Sequence, residues 1–141
     1  MTEQSPISLS TLIRPDRTVS FDFPDYNGMV VELCYLSREA RNTLRKKCVT
    51  NSFDRASGQM VEKLNEDVFV KAYCKAVVKG WKGLKYKYLE ELLLVDTGDL
   101  DPEDELPFTL ENAELLLRGS EVFDTWTTAT VDKLENFTSA K

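Results

Sequence analysis

Histidine is absent from this chain of 141 residues. That absence removes the side chain that most often serves as a general base or as a metal ligand. Glycine-rich phosphate loops, nucleophile elbows, zinc-ligand spacings and dinucleotide fingerprints are absent as well. Carboxylates are numerous, but those of the acidic segment 96–105 lack an apolar pocket in sequence that would shift their pKa, and those on helix faces are usually only solvated. We therefore predict that the protein is not an enzyme and needs no cofactor or metal ion.

Long apolar runs and paired cysteines are also missing. Apolar runs are no longer than the four residues of 92–95, whereas a bilayer-spanning helix needs about 20. The N-terminus lacks the basic start and apolar block of a secretory signal. Cys34, Cys48 and Cys74 form no C-x-x-C pair, which favours buried thiols in a reducing compartment. These features predict a cytoplasmic protein without membrane association.

Charge is present in quantity but is unevenly distributed. Residues 1–89 carry 10 acidic and 15 basic side chains, whereas residues 90–141 carry 14 acidic and 3 basic ones. The two parts therefore have net charges of +5 and −11, which sum to −6 for the chain. Such asymmetry favours head-to-tail association between copies or recognition of a charged partner.

The pattern of the first 35 residues predicts an arm and a hairpin. Residues 1–16 are expected to form a flexible N-terminal arm, and residues 17–141 a single domain. Val19, Phe21 and Phe23 alternate as in a strand, and a second alternation follows the turn signal Asn27-Gly28. The sequence therefore predicts a β-hairpin at the start of the domain.

Helical periodicity dominates the rest of the chain. A basic helix capped by Ser37 is predicted first, then a connector over 50–58 and a long amphipathic helix from Met60. Gly80 is expected to end that helix in the left-handed conformation. Later helices have N-caps at Thr109 and Ser120, and the segment 96–105 is a polar loop. The sequence thus predicts an α+β fold that is predominantly α, with an N-terminal β-hairpin followed by about five helices.

Two short stretches carry a resemblance to a known family. Val78–Leu84 reads "VKGWKGL", and Glu105–Ala113 reads "ELPFTLENA" at a helix start. Together with "SEVFDTW" and the earlier "VSFDFPDYNGMVVELCYLSREA", their order resembles the tail assembly chaperones of long-tailed bacteriophages over about residues 17–138. The resemblance marks signature positions, structural or at an interface, which are Gly80, Trp81, Gly83, Pro107, Phe108, Glu111 and Asn112.

The resemblance implies a protein that acts in the host cell cytoplasm and is not part of the mature virion. Such a protein binds the tape measure protein, keeps it soluble and extended, and helps recruit the tail tube protein. The family also self-associates into homo-oligomers. For partner contacts we favour two tryptophans and four basic residues, namely Trp81, Trp126, Arg41, Arg45, Lys75 and Lys79. Trp81 also fits packing at a helix end, and this alternative stays open.

Nucleic-acid binding is the alternative function. The basic helix faces at 38–47 and 71–87 could contact phosphates in a small phage or host regulator. The isoelectric point of about 4.8 and the acidic C-terminal third oppose that role. Nucleic acid is therefore not the partner that we expect, and a plain virion component is a further alternative.

Overall fold

The computed structural model describes residues 6–13 and 17–138. Within these residues, seven helices and five strands are interleaved along the chain. The elements are α1 Leu9–Leu12, β1 Thr18–Asp22, β2 Val30–Cys34, α2 Arg38–Lys47, β3 Val49–Asp54, β4 Gln59–Leu64, α3 Glu66–Val77, β5 Val78–Lys82, α4 Tyr86–Leu92, α5 Leu110–Gly119, α6 Glu121–Asp132 and α7 Glu135–Thr138.

The predicted order of one hairpin followed only by helices is wrong. The first hairpin is present, but α1 precedes it, a second hairpin lies between α2 and α3, and β5 follows α3. The prediction of a flexible arm over residues 1–16 falls in part on 1–5 and 14–16, which lie outside the described residues. No helix in the described part of the chain is long and apolar enough to span a membrane.

The main sheet has three antiparallel strands in the order β1-β2-β5. Gly80 lies in β5 opposite Glu32, so the prediction that it ends a helix is wrong. Helix α3 ends at Val77 instead, because the β-branched pair Val77 and Val78 is fully buried and leads directly into the sheet. Pairing with β2 then supplies the backbone hydrogen bonds that a continued helix would have made.

The second sheet is the two-stranded hairpin β3–β4. It replaces both the connector predicted over 50–58 and the first turns of the helix predicted from Met60. Gly58, with a φ of +70°, supplies the left-handed turn residue. Helix α3 begins only after Asn65, whose side chain accepts a 3.3 Å hydrogen bond from the Val68 N–H. The N-cap at Asn65 therefore outweighs the helical spacing of Met60 and Leu64.

Helices α3, α5 and α6 cover one core together with the main sheet. Its fully buried side chains include Met29, Val31, Leu84, Leu116 and Phe123. Cys34, Cys48 and Cys74 are buried free thiols, which confirms the prediction made from their spacing. The hairpin β3–β4 contributes no residue to this core cluster.

Candidate functional site

The segment around β5 packs directly against the chain that leads into α5. Trp81 is only 7% exposed, and its indole N–H donates a 2.9 Å hydrogen bond to the Leu106 carbonyl oxygen. The ring meets Phe108 edge to face, with 5.0 Å between centroids. The Leu106 N–H in turn donates to the Leu84 carbonyl oxygen at 2.8 Å. We call this contact between residues 80–84 and 105–112 the junction.

Gly83 closes the junction for a steric reason. Its φ of +72° lies in the left-handed region, and a Cβ atom there would overlap the carbonyl group of Gly28. The Gly83 N–H also donates to Glu105 Oε1 at 2.7 Å. The first hairpin therefore approaches so closely that only glycine fits at this position.

The start of α5 completes the junction with hydrogen bonds of its own. Thr109 Oγ1 accepts from the Asn112 N–H at 3.0 Å, as the N-cap prediction required. The Asn112 side-chain amide donates to the Pro107 carbonyl oxygen at 3.1 Å. The signature positions thus form a structural unit, apart from Glu111, which is exposed in the first turn. The prediction that Trp81 also contacts a partner stays a prediction.

Glu111 belongs to a second feature, an open groove between the antiparallel helices α3 and α5. Arg118 closes one end by bonding to Asp67 at 2.7 Å and to Glu114 at 2.9 Å. Beyond that clamp lies a cavity of about 320 Å³, which we call the α3/α5 groove. Its lining residues are Lys71, Cys74, Lys75, Leu110, Glu111 and Glu114. The structure therefore brings two predicted site residues, Lys75 and Glu111, to one place.

The α3/α5 groove has an apolar floor between rims of opposite charge. Burial, with a smaller contribution from Glu114, raises the pKa of the Cys74 thiol to about 11, so the floor is uncharged at neutral pH. Lysines of α3 form one rim and glutamates of α5 the other. No ion pair joins the two rims among the described residues. The groove therefore offers an apolar surface between two charged rims, in which Glu114 also binds Arg118.

Four groove residues, Lys71, Cys74, Leu110 and Glu114, were not among the predicted site residues. The signal for Leu110 was present in the sequence, because α5 buries Ala113, Leu116 and Leu117 on one face. Leu110 and Leu115 fall off that face and are 48% and 56% exposed. Cys74 gave no such signal, since its place beneath the groove depends on the packing of two distant helices.

The predicted arginines lie elsewhere, where α2 meets α3 and α6. Arg41 forms an ion pair with Asp132 and lies over the Tyr73 ring, 5.8 Å from its centroid. Arg45 lies 5.5 Å from the centroid of the Phe69 ring. These contacts fix α2 against the core. Arg41 is therefore partly used within the chain, while Arg45 remains exposed.

The remaining predicted contacts are scattered. Trp126 is half-buried and meets Phe23 edge to face at 4.7 Å. Lys79 lies in β5, and its ammonium group donates to the Lys75 carbonyl oxygen at 3.0 Å. The six predicted contact residues thus do not form one surface.

Comparison with known proteins identifies a family. Residues 36–141, about three quarters of the chain, match the family model described as YdaY prophage protein. The match begins just after β2 and includes the junction, the α3/α5 groove and the second hairpin. No curated protein and no solved structure matches the chain. The chain is phage-derived and belongs to the YdaY prophage protein family.

Proposed function

We propose that this protein is a phage tail assembly chaperone that binds the tape measure protein. The observation that carries the proposal is the α3/α5 groove, with its apolar floor and two charged rims. The phage origin of the chain and the order of the signature motifs support the same role. The proposal involves no bond chemistry and no cofactor.

The groove suits an amphipathic helix. A helix laid in such a groove buries its apolar stripe on the floor and directs polar side chains to the edges. The α3 lysines would face acidic residues of the bound helix, and the α5 glutamates would face basic ones. Leu110 is 48% exposed and supplies the apolar contact on the α5 side of the groove.

A tape measure protein is the kind of chain that needs such cover. Its long apolar stripes would aggregate if they were left exposed to water. In the proposed role, many copies of this small protein cover those stripes, keep the chain soluble and extended, and help recruit tail tube subunits. We propose that the complex forms in the host cytoplasm and that the chaperone leaves before the virion is complete.

Co-expression with the long helical protein encoded in the same prophage tests the proposal. We expect the tape measure protein to become soluble only when this chain is present. Leu110→Glu places a charge at the groove and should weaken binding about tenfold, which corresponds to about 1.4 kcal/mol. Val122→Glu is the matched control, because Val122 is 57% exposed in the first turn of α6 and does not line the groove.

Two results would contradict the proposal. One is a tape measure protein that is equally insoluble with and without this chain. The other is equal loss of binding in both variants, because the groove would then have no special part. Circular dichroism of each variant separates a binding defect from a folding defect.

Nucleic-acid binding through residues 38–47 and 71–87 is the alternative that we keep. Some basic side chains of these two segments already form ion pairs within the chain. Lys85 and Lys87 both bind Glu103, at 3.0 and 2.6 Å, and Arg41 binds Asp132. Retention on heparin that falls steeply with salt would favour this alternative. We expect little retention at physiological ionic strength.

A further inference from the structure

The second hairpin exposes apolar side chains that the fold does not use. Phe53 and Met60 lie opposite each other in the β3–β4 register and are 61% and 64% exposed. Because side chains alternate along a strand, they share one face with the pair Val49 and Leu64, about 13 Å nearer the base. An apolar patch therefore lies at each end of one hairpin face.

Helix α2 adds positive charge beside the base of this face. A cavity of about 330 Å³ lies between α2 and the hairpin, and we call it the hairpin cleft. Asn42, Arg45, Lys46, Val49 and Leu64 line it. Helix α2 carries five basic residues and one acidic residue. In the described part of the chain, only Arg41 among those bases forms an ion pair.

The same chain carries a surface with the complementary chemistry. The acidic loop, residues 96–105, contains six carboxylates and no base. Exposed leucines bracket its first half, since Leu94 is 106% and Leu100 is 51% exposed. Of the six carboxylates, only Glu103 forms an ion pair with a described residue. The loop is therefore both apolar and strongly negative.

Local hydrogen bonds hold the acidic loop in shape. Asp96 Oδ1 accepts from the Gly98 N–H and Asp101 Oδ1 from the Glu103 N–H, both at 2.9 Å. Lys85 and Lys87, at the start of α4, both form ion pairs with Glu103. A loop that is ordered before binding loses less conformational entropy when it binds.

We propose that the acidic loop of one copy binds the hairpin cleft of a second copy. Aspartates of the loop meet Arg45, Lys46 and their basic neighbours on α2, while Leu94 and Leu100 cover the apolar face of the hairpin. The contact joins two different surfaces, so each copy keeps one free surface of each kind. Association then continues head to tail unless the rotation between copies closes a ring.

Charge complementarity identifies the second copy as the occupant. The bases of α2 and the acids of the loop form no ion pair with each other within the described residues. A second copy supplies the missing charges and the missing apolar cover together. The purpose of this contact rests on the proposed function. Copies that associate end to end would cover a long tape measure protein continuously.

Charge reversal tests this contact in the pure protein. The first variant, Lys46→Glu/Lys47→Glu, lowers the net charge of α2 from +4 to 0. The second, Asp99→Lys/Asp101→Lys, lowers the net negative charge of the loop from −6 to −2. Sedimentation velocity should show wild type associating at low salt and dissociating as salt rises. Each variant alone should associate at least about tenfold more weakly, because the charge on one of the two complementary surfaces is then largely removed.

Mixing the two variants gives the sharpest result. The unchanged loop of the first variant and the unchanged cleft of the second still attract each other, whereas the two altered surfaces do not. An equal mixture should therefore form one-to-one pairs, which neither variant forms alone, without the longer assemblies of the wild type. Lys71→Glu/Lys75→Glu is the matched control, since it makes the same charge change as the first variant on α3, where neither residue lines the hairpin cleft or belongs to the acidic loop, and it should leave assembly intact.

Three outcomes would overturn the contact. They are a monomeric wild type at low salt, unchanged assembly in both variants, and no pairing when the variants are mixed. A folding defect is recognised by urea unfolding of each variant before it is mixed. Failure of this contact leaves the tape measure solubility assay unaffected as a test of the proposed function, so the two proposals fail separately.

Discussion

The junction and the second hairpin use antiparallel β-structure in opposite ways. At the junction, β5 buries Val78, Gly80 and Trp81 among its five residues. In β3 and β4, none of the twelve strand residues is buried. Similar lengths of strand therefore serve the core in one region and the surface in the other.

The difference lies in where each segment finds its stabilising contacts. Residues of the junction bond to segments more than twenty positions away, as in the Trp81–Leu106 and Gly83–Glu105 hydrogen bonds. The hairpin pairs mainly with itself, and an isolated two-stranded hairpin is marginally stable in water. The junction thus contributes to global stability, whereas the hairpin is free to use its side chains for association.

Trp81→Ala should produce the largest loss of stability, and so it tests the junction most severely. The substitution removes a buried indole and leaves the Leu106 carbonyl group without its donor. We expect the free energy of unfolding to fall by about 4 kcal/mol, measured by urea denaturation. Trp81→Phe keeps most of the ring volume and should cost clearly less. Equal losses in the two variants would contradict the role of ring burial.

Gly83→Ala should come next, because it breaks the approach between the junction and the first hairpin. The left-handed backbone and the overlap with the Gly28 carbonyl group act together. We expect a loss of about 2–3 kcal/mol in the same measurement. Gly98→Ala is the matched control, since Gly98 also has a positive φ but has open space around it. If the loss of unfolding free energy at Gly83 is no larger than at Gly98, the close approach to Gly28 does not contribute to stability.

The N-caps and Gly83 together show which features the sequence could reveal. N-caps are local, and the predicted caps Ser37, Thr109 and Ser120 all accept the expected backbone hydrogen bond, at 3.1, 3.0 and 3.2 Å. The need for glycine at position 83 arises from Gly28, 55 residues earlier in the chain. No local pattern carries such a contact, so Gly80 was given the left-handed conformation that Gly83 adopts.

The second hairpin escaped prediction for a different reason. A strand is recognised when one face is buried and the other is wet, and here both faces are largely exposed. Met60, Val61 and Leu64 also fit a helical spacing, which extended the predicted helix too far toward the N-terminus. The α3/α5 groove could be predicted only in part, because Lys75 and Glu111 meet through the packing of helices that are distant in sequence.

Thr109→Ala should have a moderate effect, since it removes a local contact at the edge of the junction. The Asn112 N–H loses its side-chain acceptor, and we expect a cost of about 1 kcal/mol. Thr109→Ser keeps the hydroxyl group and should restore most of the loss. Urea denaturation of the two variants measures the difference. If they prove equally unstable, the cap does not contribute through its hydrogen bond.

Phe53→Ser should have the smallest effect on stability, because it changes the second hairpin rather than the junction. Phe53 is 61% exposed, lies opposite Met60 in the register and is not part of the core cluster, so we expect a cost of about 0.5 kcal/mol or less. Urea denaturation at high salt, where the proposed head-to-tail contact is weakened, measures this cost for the separate protein. The same substitution should weaken self-association at low salt, because it removes apolar cover from the hairpin face that the second copy binds. A large loss of stability would mean that the hairpin supports the core after all, and an unchanged assembly would remove Phe53 from the contact surface.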